Sequence, residues 1–291
     1  LKNTSSVIGY YSYTKPLPLI MKRLLSIIVL LPCLAFSQPF QIKGVIKDKN
    51  TNKIIPYVNI GIFEKSVGTV SNEKGEFEIL IDEEYMESIL SFSHINYEFH
   101  QVQIKDLIND SNICLLTQKT NQLEEVIVSG TKPYLIGRKN SKNSVKGYFK
   151  AKGLGGEGGT LIRNTENCKV KSFSLNVLKN SFESLTFRLN FYNVKSNKPA
   201  KKIGSNTIFI INQGQTGILT IDLNDADLKI NSDFVVSIEL IKLDKGEIDN
   251  PEFLFSAYQD RSSVIFRRLI SMDKWEKFKK YGLCFWIEIE K

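Results

Sequence analysis

The stretch KGLGGEGGTLIR (152–163) contains Gly153, Gly155 and Gly158 at the spacing of a dinucleotide-binding loop. Such a loop works by leaving a strand and opening a helix, whose N-terminal amides hold the pyrophosphate. Downstream of these glycines Phe173, Leu175 and Val177 alternate at period two, which predicts a strand instead. A phosphate loop of the Walker kind also fails, because Gly158 is followed by Gly159 and Thr160 with no lysine. The glycines are therefore expected to serve the backbone, through positive φ and close approach where the chain enters its next module.

Other reactive constellations are sparse. Asp222, Asp225, Asp227, Asp233 and Glu239 cluster in the C-terminal half. A glycosidase would need two carboxyl groups facing each other across roughly 5–10 Å, and spacing alone brings no two of these together. The chain holds two histidines, His94 and His100, and no C-x-x-C or H-x-x-E, which argues against a zinc site of the usual ligand count. No catalytic, cofactor-binding or metal-ligating residue is expected, and no cofactor. Cys114, Cys168 and Cys284 follow Cys33. In an exported protein Cys168 and Cys284 could bridge; otherwise all three act as small buried hydrophobes.

The elements that would position these residues begin after a leader. Met21-Lys22-Arg23 and the apolar run LLSIIVLLPCLAF (24–36) read as a secretory signal cleaved before Gln38, with residues 1–20 upstream of the start. The run is shorter than the roughly 20 residues of a spanning helix. The formal charge of +8 falls once Lys2, Lys15, Lys22 and Arg23 leave with residues 1–37, to 35 basic against 31 acidic residues. So mild an excess does not favour a nucleic-acid partner.

From residue 40 onward the pattern is short strands and turns. FQIKGVIKD (40–48), YVNIGIF (57–63), SNEKGEFEILI (71–81), SILSFSHINYEFHQVQI (88–104) and NICLL (112–116) alternate or run apolar, without a helical period. They predict a small antiparallel β-sandwich over 41–120. Gly44, Asp48, Ile54, Pro56, Val58, Asn59, Gly68-Thr69, Ser71-Asn72, Gly75, Phe77, Leu90-Ser91-Phe92 and Tyr97 carry a resemblance. In order and type they resemble the carboxypeptidase-regulatory-like domain, a transthyretin-like β-sandwich found at the N-terminus of many TonB-dependent outer-membrane receptors. The resemblance implies a fold and an accessory role, with no chemistry of its own. LEEVIVSG (123–130) is similar to the segment that follows this domain in those receptors. It reads either as a strand that adds to a partner's sheet or as an internal connecting strand.

Residues 121–158 are expected to be a connector. Between 131 and 159 Lys132, Arg138, Lys139, Lys142, Lys146, Lys150 and Lys152 face a single acid, Glu157, with Tyr134, Tyr148 and Phe149 interleaved. Through 131–152 this segment could touch an anionic surface, or it could be a solvated linker.

Residues 159–291 again read as strands and predict a second sandwich, jelly-roll-like. In SLTFRLNFYNV (184–194) Leu185, Phe187, Leu189 and Phe191 are expected inward, with Thr186, Arg188, Asn190 and Tyr192 outward. SMDKWEKFKKYG (271–282) is expected as a helical insert capped by Ser271 or Asp273, with Trp275 sealing an edge of the sandwich. Gly159–Ile162, FRLNFYNV, ILTIDL and DFVVSIELI resemble the C-terminal β domain of exported proteins described only as carboxypeptidase-regulatory-like. The expected protein is all-β, two tandem β-sandwiches. Its expected place is the cell envelope, in the periplasm or at the outer membrane or cell surface. There it would act without catalysis, as a binding or accessory module for glycan, protein or membrane surface. Two alternatives stay open: a partner or relic of a TonB-dependent receptor, and a jelly-roll hydrolase.

Overall fold

Alternation in the first stretch places one side of each strand in a shared core. In strand β4 (Glu76–Ile81) the residues Phe77, Ile79 and Ile81 are buried and Glu76, Glu78 and Leu80 exposed. It pairs with β1 (Phe40–Asp48), which in turn pairs with β7 (Asn112–Leu116), giving a sheet in the order β4-β1-β7. A second sheet faces it, ordered β3-β2-β5-β6 and built from β2 (Asn59–Ile62), β3 (Val67–Val70), β5 (Ile89–Ser93) and β6 (His100–Gln103). Ile42, Ile46, Val58, Ile60, Leu90 and Phe92 meet between the sheets. The expected module is all antiparallel, but β1 and β7 run parallel, from Gly44 beside Asn112 to Asp48 beside Leu116.

The computed structural model describes residues 39–107, 112–119, 133–139, 144–149 and 152–291, with the side chains of Ser144 and Ser205 left aside. The leader, Cys33 and LEEVIVSG lie outside these residues. All described residues belong to one unit, Pro39–Lys291.

The second module is a single hydrogen-bonded sheet of twelve strands that bends around one core. Its strands are β8 (Pro133–Gly137), β9 (Ser144–Tyr148), β10 (Glu157–Ile162), β11 (Cys168–Asn180), β12 (Ser184–Lys195) and β13 (Lys198–Asn212). They continue with β14 (Gly217–Asp222), β15 (Lys229–Ile230), β16 (Phe234–Asp244), β17 (Phe253–Arg268), β18 (Glu276–Leu283) and β19 (Phe285–Glu290). The spine runs β13-β12-β16-β10-β17-β11-β19-β8. β17 is long enough to change layers: residues 253–255 pair with β11 and residues 265–268 with β10. Such layer-switching strands turn a sheet into a jelly-roll-like sandwich. Phe173, Phe187, Phe234, Phe255, Phe285 and Ile287 fill its interior.

Two stretches take a different secondary structure from the one the sequence suggests. The described parts of the expected connector are strands: β8 pairs with β19, and β9 with β17. No helix forms over 271–282. The chain turns at 269–272, and Glu276–Leu283 becomes β18 because β17 offers its backbone as a partner. No disulfide joins Cys114, Cys168 and Cys284, all of which are buried. Burial pushes the Cys114 thiol up to about 12 and raises that of Cys168, so neither offers a reactive thiolate.

Candidate functional site at the seam between the modules

Four neighbouring strands carry one charged residue each in a single row: Arg188 on β12, Glu239 on β16, Glu157 on β10 and Arg268 on β17. The register sets each directly opposite the next, so their side chains share a face. The face is closed to water. Glu239 and Glu157 are 0% and 1% exposed, Arg188 3% and Arg268 9%.

Burying charge is costly unless every group is paired, and here the pairing is dense. Arg188 Nε and Nη2 donate to Glu239 Oε2 at 3.0 and 2.9 Å. Arg268 Nη2 lies 2.5 Å from Glu157 Oε2 and 3.6 Å from Glu239 Oε1. Asn190 Nδ2 bridges the two carboxylates, at 2.8 Å from Glu157 and 2.7 Å from Glu239. Tyr192 and Ser237 donate to Glu157 at 3.0 and 2.5 Å. Lys202 reaches Glu239 at 3.1 Å. Burial pushes the Glu239 carboxyl up, but Arg188, Lys202 and Arg268 outweigh it and hold the group well below the ordinary carboxylate range. Burial, with Arg188 and Arg268 beside it, lowers the Lys202 ammonium to about 8 despite Glu239.

The first module supplies the lid. Asn59 Nδ2 on β2 donates to Glu239 and, at 3.2 Å, to Ser271 Oγ, while Asn59 Oδ1 accepts from Arg188. Arg188 Nη1 donates to the Tyr57 carbonyl at 2.7 Å. Ser66 Oγ donates to Asp273 at 3.0 Å, and the Glu64 amide to the Met272 carbonyl at 2.9 Å. Ser271 and Asp273, expected to cap a helix, instead hold the first module. Thr186, Arg188, Asn190 and Tyr192, expected to face outward, are also buried: the first module covers Arg188, while Trp275 and Lys202 of the second lie against Tyr192.

The glycine loop is part of this seam. Gly155 has φ +80°, and a Cβ there would lie 2.4 Å from the Ser271 Cβ. A Cβ on Gly159 would lie 2.6 Å from that of Ser237. Of the motif glycines only Gly155 has both the positive φ and the close approach that were expected; Gly158 has open space beyond Phe149 at 3.9 Å, and β10 rather than a helix follows.

The remaining expected candidates do not converge. Asp222 and Asp233 accept backbone N–H groups of Asn224 and Asn164, and Asp227 pairs with Lys169. Asp225 sits in a short 3-10 turn. Of the carboxylates singled out, only Glu239 joins a second one, Glu157, which alternation did not mark. Nothing short of the strand register could have found that pair. Trp275 closes an edge as expected, its ring 5.6 Å from that of Tyr192 and under the Arg268 guanidinium at 4.9 Å. In the basic stretch, Arg138 stacks on Tyr258 at 4.4 Å and pairs with Asp260. Among the described residues no group of three or more His, Cys, Asp or Glu side chains could hold a metal ion. Among the described residues no helix is long and apolar enough to cross a membrane.

Beside the row of charges the modules leave a cleft of about 740 Å³. Phe149, Leu154, Phe182, Leu185, Leu240 and Phe253 form its apolar wall, and Lys74 and Lys152 stand exposed on it. Glu73 of the first module and Lys242 of the second, 2.5 Å apart, also line it.

Residues 42–128 match the CarboxypepD_reg-like domain family, and this part of the chain is a domain of that family. Domains of this kind are regulatory in type and not catalytic. No curated protein matches the chain. Among solved structures, the chain is similar to the cysteine protease and lectin-like domains of Cwp84, a surface-layer-associated protein of Clostridium difficile. Identity is 11% and the TM-score 0.39, covering 87% of this chain and 64% of that one, so the chain spans just under two thirds of it. Cwp84 after propeptide cleavage gives 10%, 0.40, 88% and 71%. The infectious bursal disease virus Gt strain gives 10%, 0.26, 87% and 62%.

Proposed function

We propose that the protein is an exported, non-enzymatic binding or accessory module of the cell envelope, whose two sandwiches act as one body. The observation that carries this reading is the fate of its two adjacent carboxylates. A hydrolase needs such a pair open to substrate and differently protonated. Glu157 and Glu239 are instead buried and held by arginines, with Asn59 of the first module closing over Glu239. A regulatory-type domain at 42–128 supports the same role. The expected ligands are envelope glycan, protein or membrane surface. The leader at 21–37 supports export, and the basic segment 131–152 supports contact with an anionic surface.

The test is to incubate the whole chain with a glycan array, cell-wall fragments and anionic vesicles, scoring retention and chemical change of each ligand. Retention without any bond broken is expected. Release of new reducing ends or peptide fragments would overturn the reading, as would retention of none of the three.

A further inference from the structure

We infer that the cleft between the modules binds an amphipathic anion, a long alkyl chain ending in a carboxylate. This assignment rests on the binding role proposed above and names a ligand class for it. Three observations carry it. The cleft, about 740 Å³, has the size of small-molecule sites, roughly 300–1,000 Å³, and lies where such sites concentrate, between two domains.

Its wall is apolar and already in place. Leu185, Leu240 and Phe253 are buried in the core of the second module, and Phe149 and Phe182 pack against that core while staying part-exposed. The Phe149 ring is fixed edge-on to Phe187 at 5.2 Å. An alkyl chain entering here displaces water from apolar surface without rearranging the protein.

The charges select the head group. Glu73 pairs with Lys242, and Glu76 accepts from Asn72 at 2.8 Å but keeps its charge, so that Lys74, Lys152 and Lys242 outnumber the two lining carboxylates by one. Lys74 and Lys152 are exposed, and neither has an ionic partner among the described residues. The cleft therefore presents an apolar floor with a net excess of one positive charge, which complements an acid with a hydrocarbon tail and disfavours a neutral or cationic surfactant.

Titration calorimetry of the whole chain with sodium dodecanoate below its micelle concentration tests this. Saturable one-site binding is expected. Butyrate, with the same head and no chain, and dodecyl maltoside, with a similar chain and no charge, are each expected to bind at least about tenfold more weakly. The exposed double variant K74E/K152E is expected to lose at least about tenfold in dodecanoate affinity with its melting temperature unchanged. Phe182→Ala, which shortens the wall and leaves the lysines, is expected to weaken dodecanoate and leave butyrate alone. Absence of saturable binding overturns the inference, as does equal affinity of wild type and K74E/K152E, or of dodecanoate and dodecyl maltoside. If dodecanoate fails while glycan, cell-wall or vesicle retention persists, the ligand class falls and the binding role stands.

Discussion

His94 sits at the end of β5 with 8% of its surface exposed, its Nδ1 accepting from the Asn96 amide at 3.3 Å. Burial and the positive charges of Arg188, Lys202 and Lys119 lower its pKa to about 4, from an ordinary 6.5. Between these values the unfolded chain binds a proton that the folded one refuses. Stability is therefore full above about pH 6.5 and falls as the medium is acidified toward 4, by up to about 3 kcal/mol from this group. His94→Gln removes the titration. Urea denaturation of wild type and variant at pH 7.5 and 4.5 is expected to show a smaller acid loss in the variant. Parallel losses would dissociate His94 from it. Two of the family-pattern residues act structurally. Asp48 accepts the amides of Asn50 and Thr51, and Ser71 Oγ accepts the Val58 amide.

The ladder between β10 and β16 carries an ion pair beside one end and the buried cluster at the other. Arg163 and Asp233 flank the pair Ile162–Phe234, with Arg163 71% exposed. Glu157 and Glu239 close the opposite end. Water screens the first pair and is excluded from the second. Arg268→Met should therefore cost about 3–5 kcal/mol, since Glu157 loses its cation in a dry site. Arg163→Met should cost under about 1 kcal/mol. Equilibrium denaturation of both variants checks this, and equal costs would contradict the burial argument. The strands themselves were largely legible, because one-sided burial leaves period-two alternation in β4 and β19. Alternation assumes that the other face meets water. That assumption fails at Arg188, Asn190 and Tyr192, whose polar side chains meet buried protein groups instead of solvent. It also hides Glu157, whose partners lie 33 to 111 residues away on three strands. The 271–282 segment has helix-favouring composition, but local propensity yields to the free backbone edge of β17.

Across the whole molecule the seam ties the modules into one thermodynamic unit. Separating them would strip buried Glu239 and Arg188 of their Asn59 and Tyr57 partners, and that penalty favours joint unfolding. Calorimetry of the intact chain is expected to show one transition. Asn59→Ala, which removes the lid contact to Glu239 and Arg188, is expected to broaden or split it. Two resolved transitions in the wild type would refute the coupling. The reading of two sandwiches in tandem was available from composition and pattern; their fusion was not, because it depends on which faces meet.

The parallel pairing of β1 with β7 has a mechanical consequence. The chain enters the first module at Phe40, at one pole, and leaves it past Leu116, at the other. Tension along the polypeptide pulls these strands lengthwise in opposite directions, loading the five registered pairs from Gly44–Asn112 to Asp48–Leu116 side-on and all at once. An antiparallel hairpin in their place would unzip bond by bond. This geometry suits a module that must keep its shape while being tugged.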